Sequence, residues 1–203
     1  DVGANRGQYA TMARKDAGYR GLILSFEPNP AVFAELEKRA ASDRQWHVFN
    51  MALSDFDGTA SFNIMAADQF SSLKKPSDAQ DAIFADRNKV TATVEMQCRR
   101  LDALLPELMT QHGFARPFLK MDTQGHDMAV CEGAGDVLGR MLGVQTELGV
   151  RPIYEDGTNY RAMIDWLAAR GFLPSAFFAN NKGHFPLLVE MDGIFVNRTL
   201  VES

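Results

Sequence analysis

Short, fully apolar runs alternate with amphipathic stretches along this chain. Residues 22–26 (Leu22-Ile23-Leu24-Ser25-Phe26) and 118–121 (Phe118-Leu119-Lys120-Met121) read as strands covered on both faces. Residues 46–51 and 142–148 are of the same kind. Helical patterns lie between them. Residues 8–17 follow a glycine-containing turn and stop near Gly18 and Gly21. Residues 30–41 have Asn29 as N-cap, Pro30 at the first helical position, and Phe33, Leu36 and Ala40 on one face. Residues 127–134 end at Gly133 and Gly135. Tyr160, Met163, Ile164 and Leu167 form the apolar face of a later helix stopped by Gly171. Residues 173–178 and 193–197 read as two last strands.

The middle of the chain departs from this rhythm. Residues 59–65 and 89–97 alternate apolar with polar positions, as antiparallel or edge strands do. Between them, residues 67–87 are polar, with Ser71, Ser72, Lys74, Lys75 and several Asp. A loop of this length in a domain is expected to act as a partly mobile cover over a site. Strands separated by helices predict an α/β fold with a doubly wound, mostly parallel sheet and one domain over 1–203.

Composition narrows the classes. With 23% charged and 46% hydrophobic residues the chain is ordinary globular material. A net charge of −5 argues against non-specific nucleic-acid binding, which requires a basic stripe. No apolar run is long enough to span a membrane. Cys98 and Cys131 lack metal-ligand spacing and read as reduced thiols of a cytoplasmic protein. The four His (His47, His112, His126, His184) form no ligand set, so no metal is expected.

Candidate chemistry gathers at the strand ends, where open α/β sheets bind ligands. The first turn, Asp1-Val2-Gly3-Ala4-Asn5-Arg6-Gly7, has Asn5 where a dinucleotide fingerprint requires a second glycine, and no P-loop Gly-Lys-Ser/Thr occurs. The chain begins inside this turn, so most of the strand expected to carry Asp1 is missing and the sequence reads as a fragment of a longer protein. Glu27, at the end of the second apolar run, can accept hydrogen bonds from both hydroxyls of a ribose. A ribose without a diphosphate points to S-adenosylmethionine.

Taken as a set, several segments resemble the FkbM family of S-adenosylmethionine-dependent methyltransferases. They are Asp1-Val2-Gly3-Ala4-Asn5-x-Gly7-x-Tyr9, Phe26-Glu27-Pro28-Asn29-Pro30, Asn50-x-Ala52-Leu53-Ser54-Asp55 and Leu119-Lys120-Met121-Asp122-Thr123-Gln124-Gly125, with Glu132-Gly133-Ala134 and Asp192-Gly193-Ile194-Phe195-Val196 beyond them. The resemblance implies a Rossmann-like class I sheet of seven strands with the last antiparallel. It also implies methyl transfer to a hydroxyl on a sugar, glycolipid or polyketide-like acceptor. Asp1, Gly3, Asn5 and Gly7 are then expected at the methionine end of the cofactor, Glu27 at the ribose, Pro28 and Asn29 on the adenine side, and Ala52, Leu53, Ser54 and Asp55 at the adenine ring. His126 and Asp127 stand where the family usually carries an apolar or aromatic residue and then an acid, so His126 is a departure.

Methyl transfer needs an aligned acceptor oxygen and a place for its proton. Asp122 ranks first as that group, then Glu147, then His126; Asp127 reads as a structural hydrogen-bond acceptor. The acceptor determinants are placed in 67–87, 151–160 and 179–185, with Tyr154, Phe177, Phe178 and Phe185 as aromatics able to stack on a sugar. The competing readings are an N-methyltransferase, a nicotinamide-dependent oxidoreductase and a non-catalytic cofactor-binding module.

Overall fold

The computed structural model describes residues 1–80, 84, 86–180 and 186–202. After the opening turn comes α1 (Gln8–Lys15), then β1 (Ile23–Phe26), α2 (Pro30–Ala40) and β2 (Trp46–Phe49). The Asn29 side chain accepts from the Ala31 and Val32 amides, which fixes where α2 starts. The insertion follows as β3 (Ala52–Leu53), β4 (Gly58–Met65) and β5 (Val90–Arg99). The second half runs α3 (Leu101–His112), β6 (Phe118–Lys120), α4 (Asp127–Ala134), β7 (Gly143–Gly149), α5 (Tyr160–Ala168), β8 (Phe172–Ala179), β9 (Glu190–Asn197) and α6 (Arg198–Val201).

The described strands form three sheets: β1-β2, β3-β5-β4 and β6-β7-β9-β8. Pairing is parallel for β1/β2, β3/β5 and β6/β7, and antiparallel for β4/β5, β7/β9 and β8/β9. The fold is therefore mixed α/β rather than one mostly parallel seven-stranded sheet. The physical reason lies at Val2. This residue sits between the β1 and β6 sides but makes only single parallel bridges, to Phe26 and to Met121. Its amide donates to the Lys120 carbonyl at 2.8 Å, and its carbonyl accepts from the Asp122 amide at 3.0 Å. The Phe26 amide donates to the Asp1 carbonyl at 2.9 Å on the other side.

β4 and β5 pair antiparallel as their alternation predicts, with Met96 and Cys98 buried on one face of β5 and exposed residues between them. Residues 67–80 are tied down rather than free. A 3₁₀ turn spans Asp68–Phe70, Arg6 pairs with Asp68, and the Ser72 hydroxyl reaches the Gln124 carbonyl at 2.8 Å. Phe70, Phe84, Met65, Ile153, Tyr154 and Val189 form a small core beneath this strap.

The main core gathers Leu101, Leu105 and Leu108 of α3, Val130 and Ala134 of α4, Met163 and Leu167 of α5, and Phe172, Leu148 and Phe195 of the four-stranded sheet. A second core under α1 and α2 holds Ala10, Leu36, Ala40 and Trp46. At the sheet edge, β8 leaves Leu173, Phe177 and Phe178 exposed. Cys98 and Cys131 are buried free thiols.

Leu167 is fully buried. Leu167→Ala is expected to lower unfolding free energy by about 2–5 kcal/mol through lost transfer energy and an unfilled cavity. Val201→Ala, at an exposed position, is expected to change it by less than about 0.5 kcal/mol. Urea unfolding of both variants measures the difference.

Candidate functional site

A cavity of about 750 Å³ opens beyond the carboxyl ends of β1 and β6. Its floor is the opening turn, and two glycines there make the geometry possible. Gly3 has φ 71°, and a Cβ on it would lie 1.9 Å from the Asp122 carbonyl oxygen. Gly7, at φ 79°, packs against the Trp46 ring, which a Cβ would approach to 2.6 Å. Asn5 takes a left-handed conformation without being glycine, at φ 46°, as Asn tolerates better than most residues.

The amides of this turn are all committed. Those of Gly3 and Ala4 donate to the Phe26 carbonyl at 3.0 Å each, and that of Gly7 to the Ala4 carbonyl at 2.8 Å. The Arg6 amide donates to Asn5 Oδ1 at 2.8 Å. The Asn5 amide donates to Glu27 Oε2 at 2.7 Å. Glu27 Oε1 accepts from the Asn29 amide at 2.8 Å. One carboxylate thus ties the turn to the start of α2. Burial pushes the Glu27 carboxyl up to about 7, against the opposing pull of the Asn29 and Asn5 amides.

Among the expected cofactor contacts, Gly3, Asn5, Glu27, Pro28, Ala52 and Leu53 line the cavity. Asp1, Gly7, Asn29, Ser54 and Asp55 do not. The Asp1 carboxylate is buried, accepts from the Ser25 hydroxyl at 3.1 Å and lies 3.2 Å from Lys120 Nζ. Ser54 is fully buried and donates to Asp55 Oδ1 at 3.0 Å.

The candidate proton acceptors separate. Asp122 lines the cavity with its side chain 41% exposed. Its Oδ1 accepts from Gln124 Nε2 at 2.7 Å, and its Oδ2 lies 3.9 Å from Lys120 Nζ. His126 also lines the cavity. Its Nε2 is 2.9 Å from the Ser54 hydroxyl. Because that hydroxyl spends its proton on Asp55, Nε2 must carry the imidazole proton. Burial lowers this His to about 4, with Lys74 adding to the effect, so it is neutral. Glu147 is not part of the main cavity. It is half-buried and faces a smaller cavity of about 150 Å³ shared with Gly125, Arg151 and Tyr154. Burial, followed by the charges of Asp122, Glu190, Asp127 and Asp192, raises its carboxyl well above the usual range.

Asp127 is structural, as expected. Its Oδ1 accepts from the Thr123 amide at 2.8 Å and from the Thr123 hydroxyl, and its Oδ2 from the Thr146 hydroxyl at 2.7 Å and the Glu147 amide at 3.1 Å. Phe177 and Phe178 lie on β8 outside the cavity lining, and Tyr154 is buried beneath the strap. Phe185 and His184 lie outside the described residues. Sequence reasoning gave no role to Lys120, Gln124, Asp192 or Glu190, all of which line the cavity. A lysine inside an otherwise apolar strand was the visible signal for Lys120. The opposite wall is apolar, with Met12, Met51, Phe62, Phe70 and Leu73.

The profile of a family described as the Methyltransferase FkbM domain matches residues 1–174. The chain is similar to the crystal structure of the methyltransferase FkbM from Methylobacillus flagellatus KT, with a TM-score of 0.58 and 13% identity over 96% of this chain and 42% of that one. The likeness concerns the fold, and the chain spans less than half of that structure's length. The methyltransferase domain of bacterial-CtHen1-CN aligns over 97% of this chain and 88% of its own, with a TM-score of 0.47 and 12% identity, too distant to carry an argument. No curated protein sequence matches the chain.

Asp127→Asn replaces an acceptor oxygen by an amide that faces existing donors. It is expected to cost about 3 kcal/mol or more of stability, measured by urea unfolding at pH 7.

Proposed function

We propose that this chain, which belongs to the FkbM methyltransferase family, binds S-adenosylmethionine in the large cavity and methylates a hydroxyl on a sugar, glycolipid or polyketide-like acceptor. The observation that carries the reading is the commitment of every amide from Gly3 to Gly7 to an intramolecular acceptor. A diphosphate requires free amides at this turn. A nucleoside joined to an amino acid does not. The acids lining the cavity, Glu27, Asp68, Asp122, Glu190 and Asp192, outweigh Lys120 and Arg87, which favours a cationic donor over a polyphosphate. The same observation counts against a nicotinamide-dependent oxidoreductase.

The strand arrangement supports the class I reading. Counting Asp1 and Val2 as the end of a central strand gives the order β2, β1, residues 1–2, β6, β7, β9, β8, with β9 reversed. The cavity then lies where the connections change direction.

When bound, the donor supplies an electrophilic methyl on a positively charged sulfur. The protein's part is placement and proton handling. Each Glu27 oxygen uses one lone pair on a backbone amide and keeps another for a ribose hydroxyl. Ala52 and Leu53 offer an apolar surface for the adenine, beside Pro28. Asp122 stands at the polar end, partly exposed, where it can accept the proton of an acceptor hydroxyl. His126, neutral and bonded to Ser54, acts as a wall between that end and the segment of Ala52 to Asp55. The apolar wall of Phe62, Phe70 and Leu73 leaves room for the acceptor.

Calorimetry with S-adenosylhomocysteine is expected to show binding, and NAD none; NAD binding without S-adenosylhomocysteine binding reverses the assignment. Ribose hydroxyls favour the ionised Glu27, whose carboxyl titrates at about 7. Affinity is therefore expected to rise with pH through 7 and to fall about tenfold between pH 8 and pH 6. Glu27→Gln is expected to bind more weakly and to lose this pH dependence. Transfer of a labelled methyl group in an acceptor screen is expected to vanish in Asp122→Asn.

A further inference from the structure

The Asp122 carboxylate stands at the end of β6 with much of its surface open to the cavity. Free to rotate, it would swing away from the buried acids behind it toward solvent. One side chain opposes this. Gln124 Nε2 donates to Asp122 Oδ1 at 2.7 Å and reaches Glu147 Oε2 at 3.3 Å. Its other end is also held, because the Tyr154 hydroxyl lies 2.6 Å from Gln124 Oε1. The reversed amide would press its oxygen against two carboxyl groups and its NH₂ against a hydroxyl proton, so only one orientation satisfies the set.

The backbone of Gln124 is equally constrained. It has φ 55°, in a region that side-chain-bearing residues rarely adopt. Its carbonyl accepts from the Ser72 hydroxyl at 2.8 Å. Tyr154 is buried, and its hydroxyl also lies 3.1 Å from the Phe70 carbonyl. Ser72 and Phe70 both belong to the strap over the cavity, so the strap touches the Gln124 backbone directly and reaches its side chain through Tyr154.

We propose that Gln124 is a positioning residue: its amide, oriented by Tyr154, holds the Asp122 carboxylate toward the cavity and links that carboxylate to the strap formed by residues 67–80. The inference rests on the reading of Asp122 as the proton acceptor of a methyl-transfer site. Residue chemistry at 124 is then restricted. A leucine fills the same space but donates nothing. A glutamate adds a charge beside Asp122 and Glu147. An asparagine is too short to span from Asp122 to Tyr154.

The groups facing Asp122 are Lys120 at the end of β6, itself paired with Asp1, Glu147 on β7, which Glu190 also faces, Asp192 on β9, and Asp127 on α4. Among them Gln124 contributes the closest neutral donor. Its loss is expected to favour the protonated carboxyl.

The test follows the carboxyl carbon resonance of Asp122 with pH in the intact chain, assigned by its absence in Asp122→Asn. Wild type, Gln124→Leu and Tyr154→Phe are compared. The Asp122 titration midpoint is expected to rise by about one pH unit in Gln124→Leu and by less, in the same direction, in Tyr154→Phe. Coincident midpoints in the three proteins overturn the proposal, even if stability changes, because a purely structural role would leave the titration unmoved. If Gln124→Leu does not fold, Tyr154→Phe decides alone by the same criterion. S-adenosylhomocysteine binding is measured on the wild type in parallel. Its failure removes the methyl-donor reading, whereas the titration still reports whether Gln124 holds Asp122.

Discussion

The hydrogen bonds that flank Val2, one to the Lys120 carbonyl and one from the Asp122 amide, set the geometry of everything above them. They hold the opening turn against the end of β6 so closely that only a glycine fits at position 3. The same contact places Asp1 beside Lys120 and brings the ends of β1 and β6 to opposite sides of one cavity. Glu27 then closes the arrangement from the β1 side by accepting from the Asn5 and Asn29 amides. The turn is bound to β1 and Glu27 by its own amides, and the Val2 contacts add the tie that sets this unit against Asp122 at the end of β6.

Charge is distributed unevenly around this frame, and burial decides what each acid does. Asp127 is enclosed by donors from Thr123, Thr146 and the Glu147 amide, so it fastens α4 to β6 and β7. Glu147 is less enclosed and meets the side-chain amide nitrogens of Gln124 and Asn180 at 3.3 and 3.4 Å, and burial together with neighbouring acids favours its neutral form. Asp122, next to both, keeps water and a lysine within reach. Three carboxyl groups that meet in space thereby have three different environments, fixed by their surroundings rather than by their identity.

Local chemistry was legible in the sequence. Asn29 and Pro30 announced the start of α2, and alternation announced the β4/β5 pair. Position along a strand did not separate Glu147 from Asp122. It ends an apolar run as Asp122 does, but β9 pairs alongside it, with Asp192 as its register partner, and it lines the smaller cavity instead of the large one. Gln124 and Tyr154 were unreadable as partners because their contact depends on the strap folding over both, and no periodicity encodes that. The single continuous sheet expected from the strand–helix rhythm is interrupted because residues 1 and 2 supply bridges where a strand was anticipated.

The committed amides of the opening turn have an evolutionary side. Restoring glycine at position 5 would copy the lettering of a dinucleotide fingerprint and, by removing Asn5 Oδ1, release only the Arg6 amide, since the amides at positions 3, 4, 5 and 7 would remain bound to Phe26, Glu27 or Ala4. A lineage drifting toward phosphate-bearing ligands would have to dismantle Glu27's grip on Asn5 first, and that step loosens the start of α2 as well. A pair of backbone contacts to one acid thus couples the shape of the turn to the start of α2, so neither can change without the other.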